Sequence, residues 1–154
     1  MERFDASDEF RPAAGSTAKQ EYLYWMHFAE GTLTPVLLVG LIANGIRKAP
    51  VPFFVKPVVK TIAEKIDAAY TTRELDKQLS FIESHLTAHE YFAGESFTAA
   101  DVQMSYPIDV LALQGALGVR YPNTLGWLDR MKARPAYQAA VARGGANALP
   151  SMRR

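Results

Sequence analysis

The chain has 154 residues, the length of one domain, and 49% of them are apolar, enough for a sizeable core. Its 17 basic and 16 acidic residues nearly balance, so charge gives no reason to expect a nucleic-acid partner. The absence of cysteine excludes disulfides, thiolate metal ligands and a cysteine nucleophile, and is compatible with a reducing cytoplasm.

The N-terminal segment is predicted to be a lead-in, because Pro12 and Gly15 break regular structure. Its charged start, MERFDASDEFRP, lacks the apolar centre of a secretory signal. The most apolar run, residues 33–43, is too short to span a bilayer and is interrupted by Pro35. We therefore expect a cytoplasmic protein without a membrane partner.

A first long helix is predicted to start near Ala18, because Thr17 followed by Gln20 resembles a capping box. The apolar residues that follow have helical rather than alternating spacing. Pro35 is expected to bend this helix, and Gly45 is expected to end it.

The next segment, APVPFFVKP at residues 49–57, cannot be regular helix, because each proline favours extended backbone before it. With basic residues nearby, Phe53 and Phe54 are compatible with a membrane contact, the rim of a substrate cleft or burial against a neighbour. Burial is favoured, because the segment lacks the pattern of a long interfacial helix.

Helical spacing resumes at Pro57 and continues through Leu86, with one weak point at Thr71-Thr72. A third helix is predicted from Thr98 to about Gln114.

A short fourth helix is predicted to end before Pro135, and a last one runs from Pro135 to Arg143. We find no strand alternation, and the sequence predicts an all-α bundle of about five helices. The expected organisation is a lead-in at 1–15, helices at 16–143 and a flexible tail at 144–154.

The stretch GESFTAADVQ is the clearest local signal in the chain. Thr98 is a good N-cap, and Asp101 stands where a capping box has its reciprocal acceptor. Phe97 and Val102 occupy the positions of a hydrophobic staple. These residues alone predict the start of a helix and no catalytic role.

The same residues carry a family resemblance. YFAGESFTAADV resembles the loop and capping box that open the sixth helix of cytosolic glutathione transferases, in their all-helical C-terminal domain. WLDRMKARPAYQAAV resembles that family's next elements, and YLYWMHFAEGTLTPVLL resembles its fourth helix. The three matches occur in the family's order and cover roughly residues 16–143.

The resemblance implies a second, thioredoxin-like domain, which in this family binds glutathione and activates its thiol. Residues 1–5 resemble the last turn of that domain's final helix, and the segment that follows, up to Pro12, resembles the linker between the two domains. We therefore expect the thioredoxin-like domain to lie outside this chain, with no catalytic residue and no glutathione-activating site within it.

The activity that the resemblance implies is conjugation of glutathione, as co-substrate, to hydrophobic electrophiles in a detoxification role. This chain alone is expected to be inactive and to associate as a homodimer or with a thioredoxin-like partner. The alternative is a non-catalytic protein–protein interaction module of the same fold.

Four residues of the first helix are candidates for binding the electrophile. Tyr24, His27, Phe28 and Gly31 lie on one helical face. The family's corresponding helix lines the electrophile cleft, so the resemblance implies hydrogen bonds from Tyr24 and His27 and room beside Gly31. The competing interpretation is core packing with one satisfied histidine.

One pair of histidines has the spacing of metal ligands. His85 and His89 are four residues apart and so share a helical face. The zinc-protease pattern requires Glu directly after the first His, and Leu86 occupies that position. We therefore expect no metal site.

Overall fold

The first helical rod runs from Thr17 to Arg47 in the computed structural model, which describes residues 10–145. It consists of α1 (Thr17–Phe28) and α2 (Thr34–Arg47), joined by one π-helical turn, Ala29–Leu33. The wide turn lies directly before Pro35, whose ring would otherwise meet the carbonyl four residues back. The bend expected at Pro35 stays a prediction, and the π-helical turn that ends at Leu33 is the irregularity found beside this proline.

Both predicted ends of this rod require correction. Ser16, not Thr17, is the N-cap, and its side chain accepts a hydrogen bond from the amide of Lys19 at 3.1 Å. At the other end the helix continues two residues past Gly45 to Arg47. Gly45 does not end the helix because it stays in the helical ladder, and Lys48 caps the helix instead.

The second rod begins at Lys56, with proline in its first turn as predicted. It comprises α3 (Lys56–Ile66) and α4 (Thr72–Ala88), joined by a π-helical turn at Asp67–Thr71. The turn coincides with the weak point expected at Thr71-Thr72.

The prediction that Phe53 and Phe54 are buried is wrong for the chain by itself. In the loop between α2 and α3 their side chains are 83% and 69% exposed. The two helices pack along each other, and the loop projects beyond the end of this hairpin, where no other described element covers it.

Three shorter helices follow: α5 (Ala99–Leu113), α6 (Pro122–Ala133) and α7 (Pro135–Gly144). Helix α5 lies at the centre of the bundle, where it packs against α1 and α6 and keeps even Pro107 and Asp109 buried. Both tryptophans, Trp25 and Trp127, are fully buried core aromatics, as expected.

Within residues 10–145 the fold is all-α, with five continuous helical segments and no strand. The predicted fold class is therefore confirmed. Residues 1–9 of the expected lead-in and 146–154 of the expected tail lie outside the described residues. The proposed domain boundaries stay predictions.

One rod has the length and composition of a membrane span. Thr17–Arg47 is the only such helix among residues 10–145. Several of its side chains, including Trp25 and Leu33, are fully buried in the protein core. A core helix of a soluble protein passes the same test, so composition alone does not make this rod a span.

Candidate functional site

An open groove of about 840 Å³ lies between α1 and α4. Its first wall comes from α1 and the π-helical turn that follows, and its second wall comes from the first half of α4. The lining residues are Leu23, Tyr24, His27, Phe28, Gly31, Thr32, Glu74, Lys77, Gln78 and Phe81. All four residues predicted from the first helix therefore line the same groove.

Aromatic rings, rather than close backbone contacts, join the two walls of this groove. The ring of Phe81 lies 6.1 Å from that of Tyr24 and 5.8 Å from that of Phe28, between centroids. Behind them Phe81 stacks on the buried Trp25, at 5.4 Å. Tyr24 and Phe81 remain 48% and 45% exposed, so their remaining surface faces the groove and solvent.

The polar groups of the first wall include a protonated phenol. Burial raises the pKa of Tyr24, and the nearby negative charge of Glu21 raises it further. Tyr24 therefore stays a hydrogen-bond donor at neutral pH. His27 is exposed at the same wall.

Gly31 leaves the space that was expected beside this wall. A Cβ atom added there would meet no other heavy atom within 4 Å. Of the four predicted groove residues, only Phe28, which is 7% exposed, is buried as the core-packing interpretation requires.

The second wall contains a buried amide that the sequence analysis did not single out. Gln78 is 6% exposed, and its Oε1 atom has no hydrogen-bond partner among the described residues. Buried amide oxygens are normally paired. The groove is therefore bordered by Gln78, whose side-chain oxygen accepts no hydrogen bond from the described residues.

The predicted cap residues serve a different purpose, at the start of α5. Thr98 and Asp101 form the reciprocal capping box, with the Thr98 amide donating to Asp101 Oδ2 at 2.9 Å. Asp101 Oδ1 accepts from the amide of Phe92 at 3.1 Å and from Trp127 Nε1 at 3.0 Å. The pKa of Asp101 is raised overall, because burial raises it by more than these hydrogen bonds lower it.

Phe97, the third predicted cap residue, packs edge-on against Phe10 at 5.8 Å between ring centroids. The guanidinium carbon of Arg134 lies 3.6 Å from its ring centroid, as in a cation–π contact. The hydrophobic staple between Phe97 and Val102 stays a prediction. Phe97, Thr98 and Asp101 therefore have structural roles at the start of α5.

The histidine pair lies next to the core. His85 Nε2 lies 3.1 Å from the carbonyl oxygen of Phe92, and its ring lies 4.6 Å from that of Trp25. Burial, followed by the neighbouring His89, lowers the pKa of His85. Across residues 10–145, no group of three or more His, Cys, Asp or Glu residues is arranged to hold a metal ion.

Comparison with known proteins identifies a sequence family. A sequence model of the family described as "Glutathione S-transferase, C-terminal domain" matches residues 45–135. The chain is 33% identical over 141 residues to "Glutathione S-transferase 3" of Schizosaccharomyces pombe, covering 91% of this chain and 58% of that protein. It is 25% identical over 142 residues to "Glutathione S-transferase 1" of Saccharomyces cerevisiae, covering 91% and 60%.

Solved structures agree on the fold. A crystal structure of a glutathione S-transferase from Actinobacillus pleuropneumoniae superposes with a TM-score of 0.67 at 23% identity, covering 99% of this chain and 63% of that one. A glutathione transferase from Methylococcus capsulatus gives a TM-score of 0.58 at 23% identity, covering 89% and 59%. The chain thus spans about three fifths of the length of these relatives.

Proposed function

The chain belongs to the glutathione S-transferase C-terminal domain family, and we propose that it supplies the electrophile-binding helices of a cytoplasmic enzyme that conjugates glutathione to hydrophobic electrophiles. Glutathione, the co-substrate, binds mainly to a thioredoxin-like domain or partner, which lowers the pKa of its thiol. The helices of this chain hold the second substrate, so their contribution is positioning.

The groove between α1 and α4 carries this proposal. Its volume of about 840 Å³ lies within the range of small-molecule sites. Half-exposed rings of Tyr24 and Phe81 give a flat apolar electrophile a surface on which to stack. The few polar groups beside them, among them Tyr24 and His27, fix its orientation.

The chemical step is a nucleophilic attack by the thiolate of glutathione on an electrophilic carbon. A carbon–sulfur bond forms while the leaving group departs with its bonding electrons, and the thiol proton has already been lost in forming the thiolate. Negative charge develops on the electrophile during the attack. The protonated phenol of Tyr24 donates a hydrogen bond toward that charge.

A second apolar cleft on the bundle offers a packing surface for a thioredoxin-like partner. A cleft of about 490 Å³ is lined by Phe10, Val102, Tyr106, Tyr137 and Val141, among others. Tyr106 is 46% exposed there. Phe10 is held beside the start of α5, because its carbonyl accepts a hydrogen bond from the amide of Ala99 at 3.0 Å. A domain joined before residue 10 is thus tethered beside an apolar cleft.

The test combines this chain with a thioredoxin-like domain from a characterised transferase and measures conjugation of a chromogenic electrophile. The chain alone is expected to give no turnover above background, and the combination is expected to be active. Turnover by the chain alone would place the glutathione site within it and contradict the proposed division of labour.

A matched pair of glycine variants locates the electrophile. Gly31→Leu places a side chain in the groove, and Gly45→Leu places the same side chain on α2, away from it. An added Cβ meets no atom within 4 Å at either glycine. We expect Gly31→Leu alone to raise the KM for the electrophile at least about tenfold, with an unchanged KM for glutathione. Equal effects of the two variants would exclude the groove as the site.

The cleft beside Phe10 also favours a second candidate function, a non-catalytic interaction module. An exposed apolar cleft beside Phe10 is suited to binding another protein, whether or not the complex conjugates glutathione. In that case Tyr106→Glu abolishes the association with the thioredoxin-like partner, while the combined proteins give no conjugation with any electrophile.

Sedimentation velocity of the chain alone tests the proposed homodimer.

A further inference from the structure

The loop between α2 and α3 exposes two adjacent aromatic side chains that the packing of the chain does not explain. Phe53 is 83% exposed and Phe54 is 69% exposed, and their rings meet edge to face at 5.6 Å between centroids. Single exposed apolar residues are ordinary on protein surfaces. Two neighbouring phenylalanines at the end of a helical hairpin form a small exposed apolar patch, and they contribute little to the core.

The backbone holds this pair outward. The amide of Val55 donates to the carbonyl of Pro52 at 2.9 Å, so Phe53 and Phe54 are the two central residues of a four-residue turn. Such positions usually carry Gly, Asn, Asp or Ser rather than aromatic residues. Prolines at 50, 52 and 57 restrict the surrounding backbone. Because the backbone of this turn is already restricted, binding through the two rings costs little further conformational entropy of the loop.

The charge around the turn has one sign. Residues 31–63 contain no Asp or Glu and four cations: Arg47, Lys48, Lys56 and Lys60. Arg47 pairs with Asp67, and Lys60 makes a 3.7 Å contact with Glu64. Lys48 and Lys56 are exposed on either side of the aromatic pair and form no ion pair with another described residue.

We propose that this hairpin tip, Lys48 to Lys60, docks on the surface of an anionic lipid bilayer. Phe53 and Phe54 enter the boundary between headgroups and acyl chains, and the lysines lie among the anionic headgroups. This proposal departs from the expectation of no membrane partner, which rested on the lack of a spanning segment, because the phenylalanines expected to be buried are exposed. It does not depend on the conjugation chemistry.

Charge complementarity favours lipid over a second copy of the chain. In a symmetric dimer formed through this tip, the same patch of each copy faces the other. Lys48 and Lys56 would then lie close to the same lysines of the partner, and no acidic residue between 31 and 63 could compensate. The cytoplasmic leaflet, in contrast, carries negative charge that attracts such lysines.

Vesicle co-sedimentation of the full chain tests the proposal. We expect it to bind phosphatidylcholine vesicles containing about 30% phosphatidylserine, to bind pure phosphatidylcholine vesicles much less, and to be released by salt. Phe53→Ser/Phe54→Ser should weaken binding at least about tenfold. Lys48→Gln/Lys56→Gln should weaken it about fivefold per lysine.

A matched control is Val119→Ser, which replaces a 95% exposed apolar residue outside this hairpin and should leave vesicle binding unchanged. Circular dichroism should show native helix content in the double serine variant, because both phenylalanines are exposed. Binding that is equal in wild type and in this variant would overturn the proposal, as would failure of the wild type to bind anionic vesicles.

A tryptophan at the turn reports insertion directly. The two native tryptophans are both 0% exposed, so Phe53→Trp adds the one solvent-exposed indole among the described residues. Its emission should shift to the blue and lose accessibility to iodide on anionic vesicles. An unshifted emission on vesicles, or sedimentation velocity showing that the phenylalanines mediate self-association instead, would contradict docking to lipid.

Discussion

Two aromatic regions of this bundle contrast in how they treat their polar groups. At the junction where α5 begins, Phe92 and Trp127 enclose Asp101, and all three are fully buried. In the groove between α1 and α4, the rings of Tyr24 and Phe81 stay about half exposed. Both regions are rich in aromatic area, but only the junction is closed.

The closed junction satisfies its carboxylate completely. The two oxygens of Asp101 accept from two backbone amides, the indole of Trp127 and the hydroxyl of Thr98. In the groove, Gln78 Oε1 has no hydrogen-bond partner among residues 10–145. The difference separates a region whose buried acceptors are all paired from one that keeps an unpaired acceptor.

The largest expected effect comes from opening the closed junction. Asp101→Ala leaves the amides of Phe92 and Thr98 and the indole N–H of Trp127 buried without an acceptor. Each such group costs about 1–3 kcal/mol, so we expect a loss of about 3–5 kcal/mol in the free energy of unfolding by urea titration. The exposed Asp129, changed to Ala as a control, should alter stability by less than about 0.5 kcal/mol.

A smaller loss is expected where one helix caps another. The carboxylate of Glu83, on α4, accepts from the amides of Asn123 and Thr124, each at 2.9 Å, and so caps the first turn of α6. Glu83→Gln replaces one acceptor oxygen by a donor and should cost about 1–2 kcal/mol. An unchanged urea midpoint would show that α6 does not depend on this cap.

The same substitution should change the response to acid. Burial raises the pKa of Glu83, but the hydrogen bonds from Asn123 and Thr124 outweigh burial and lower it overall. Because the folded pKa lies below the unfolded one, the stabilisation is present above about pH 4.5 and is lost as the pH falls through the folded pKa. Glu83→Gln should therefore lose less stability than the wild type in that acidic range.

A further test concerns His85, which lies between the two regions. Burial and the neighbouring His89 lower its pKa, so the unfolded chain binds this proton more readily than the folded one. Stability should be complete above about pH 6.5 and should decrease as the pH falls through the folded pKa. His85→Gln should flatten urea midpoints between about pH 7 and about pH 5, and His89→Gln should flatten them in part, because it removes the charge that helps to lower the pKa of His85.

The smallest effect on stability is expected in the groove. Tyr24→Phe removes a hydroxyl that has no hydrogen-bond partner in the described part of the chain, so the free energy of unfolding should change by less than about 0.5 kcal/mol. Conjugation by the combined proteins should nevertheless fall, because the phenol no longer donates to the electrophile. A loss of stability as large as that in Asp101→Ala would remove the distinction between the two regions.

Much of the fold was predictable because its signals are local. Pro57 and Pro135 lie in the first turns of α3 and α7, and the reciprocal pair of Thr98 and Asp101 opens α5. Each signal acts within one helical turn, through backbone restriction or a nearby hydrogen bond. The spacing within α1 also identified four of the groove residues before their surroundings were known.

Residues that act across long separations were not predictable in this way. Phe81 and Gln78, on the second wall, lie about fifty residues from Tyr24 in the sequence, and no local pattern joins them. Glu83 caps a helix that begins 39 residues later, at Pro122. The exposure of Phe53 depends on what surrounds it in space, whereas the sequence favoured burial only because the segment lacks the pattern of a long interfacial helix.

The sequence by itself therefore determined where the helices form, because capping, proline geometry and apolar spacing are properties of neighbouring residues. The tertiary structure decided which aromatic side chains are enclosed and which remain accessible, and which helix satisfies the end of another. Those outcomes depend on how separate helices pack, and burial is a property of the packed assembly rather than of any single segment.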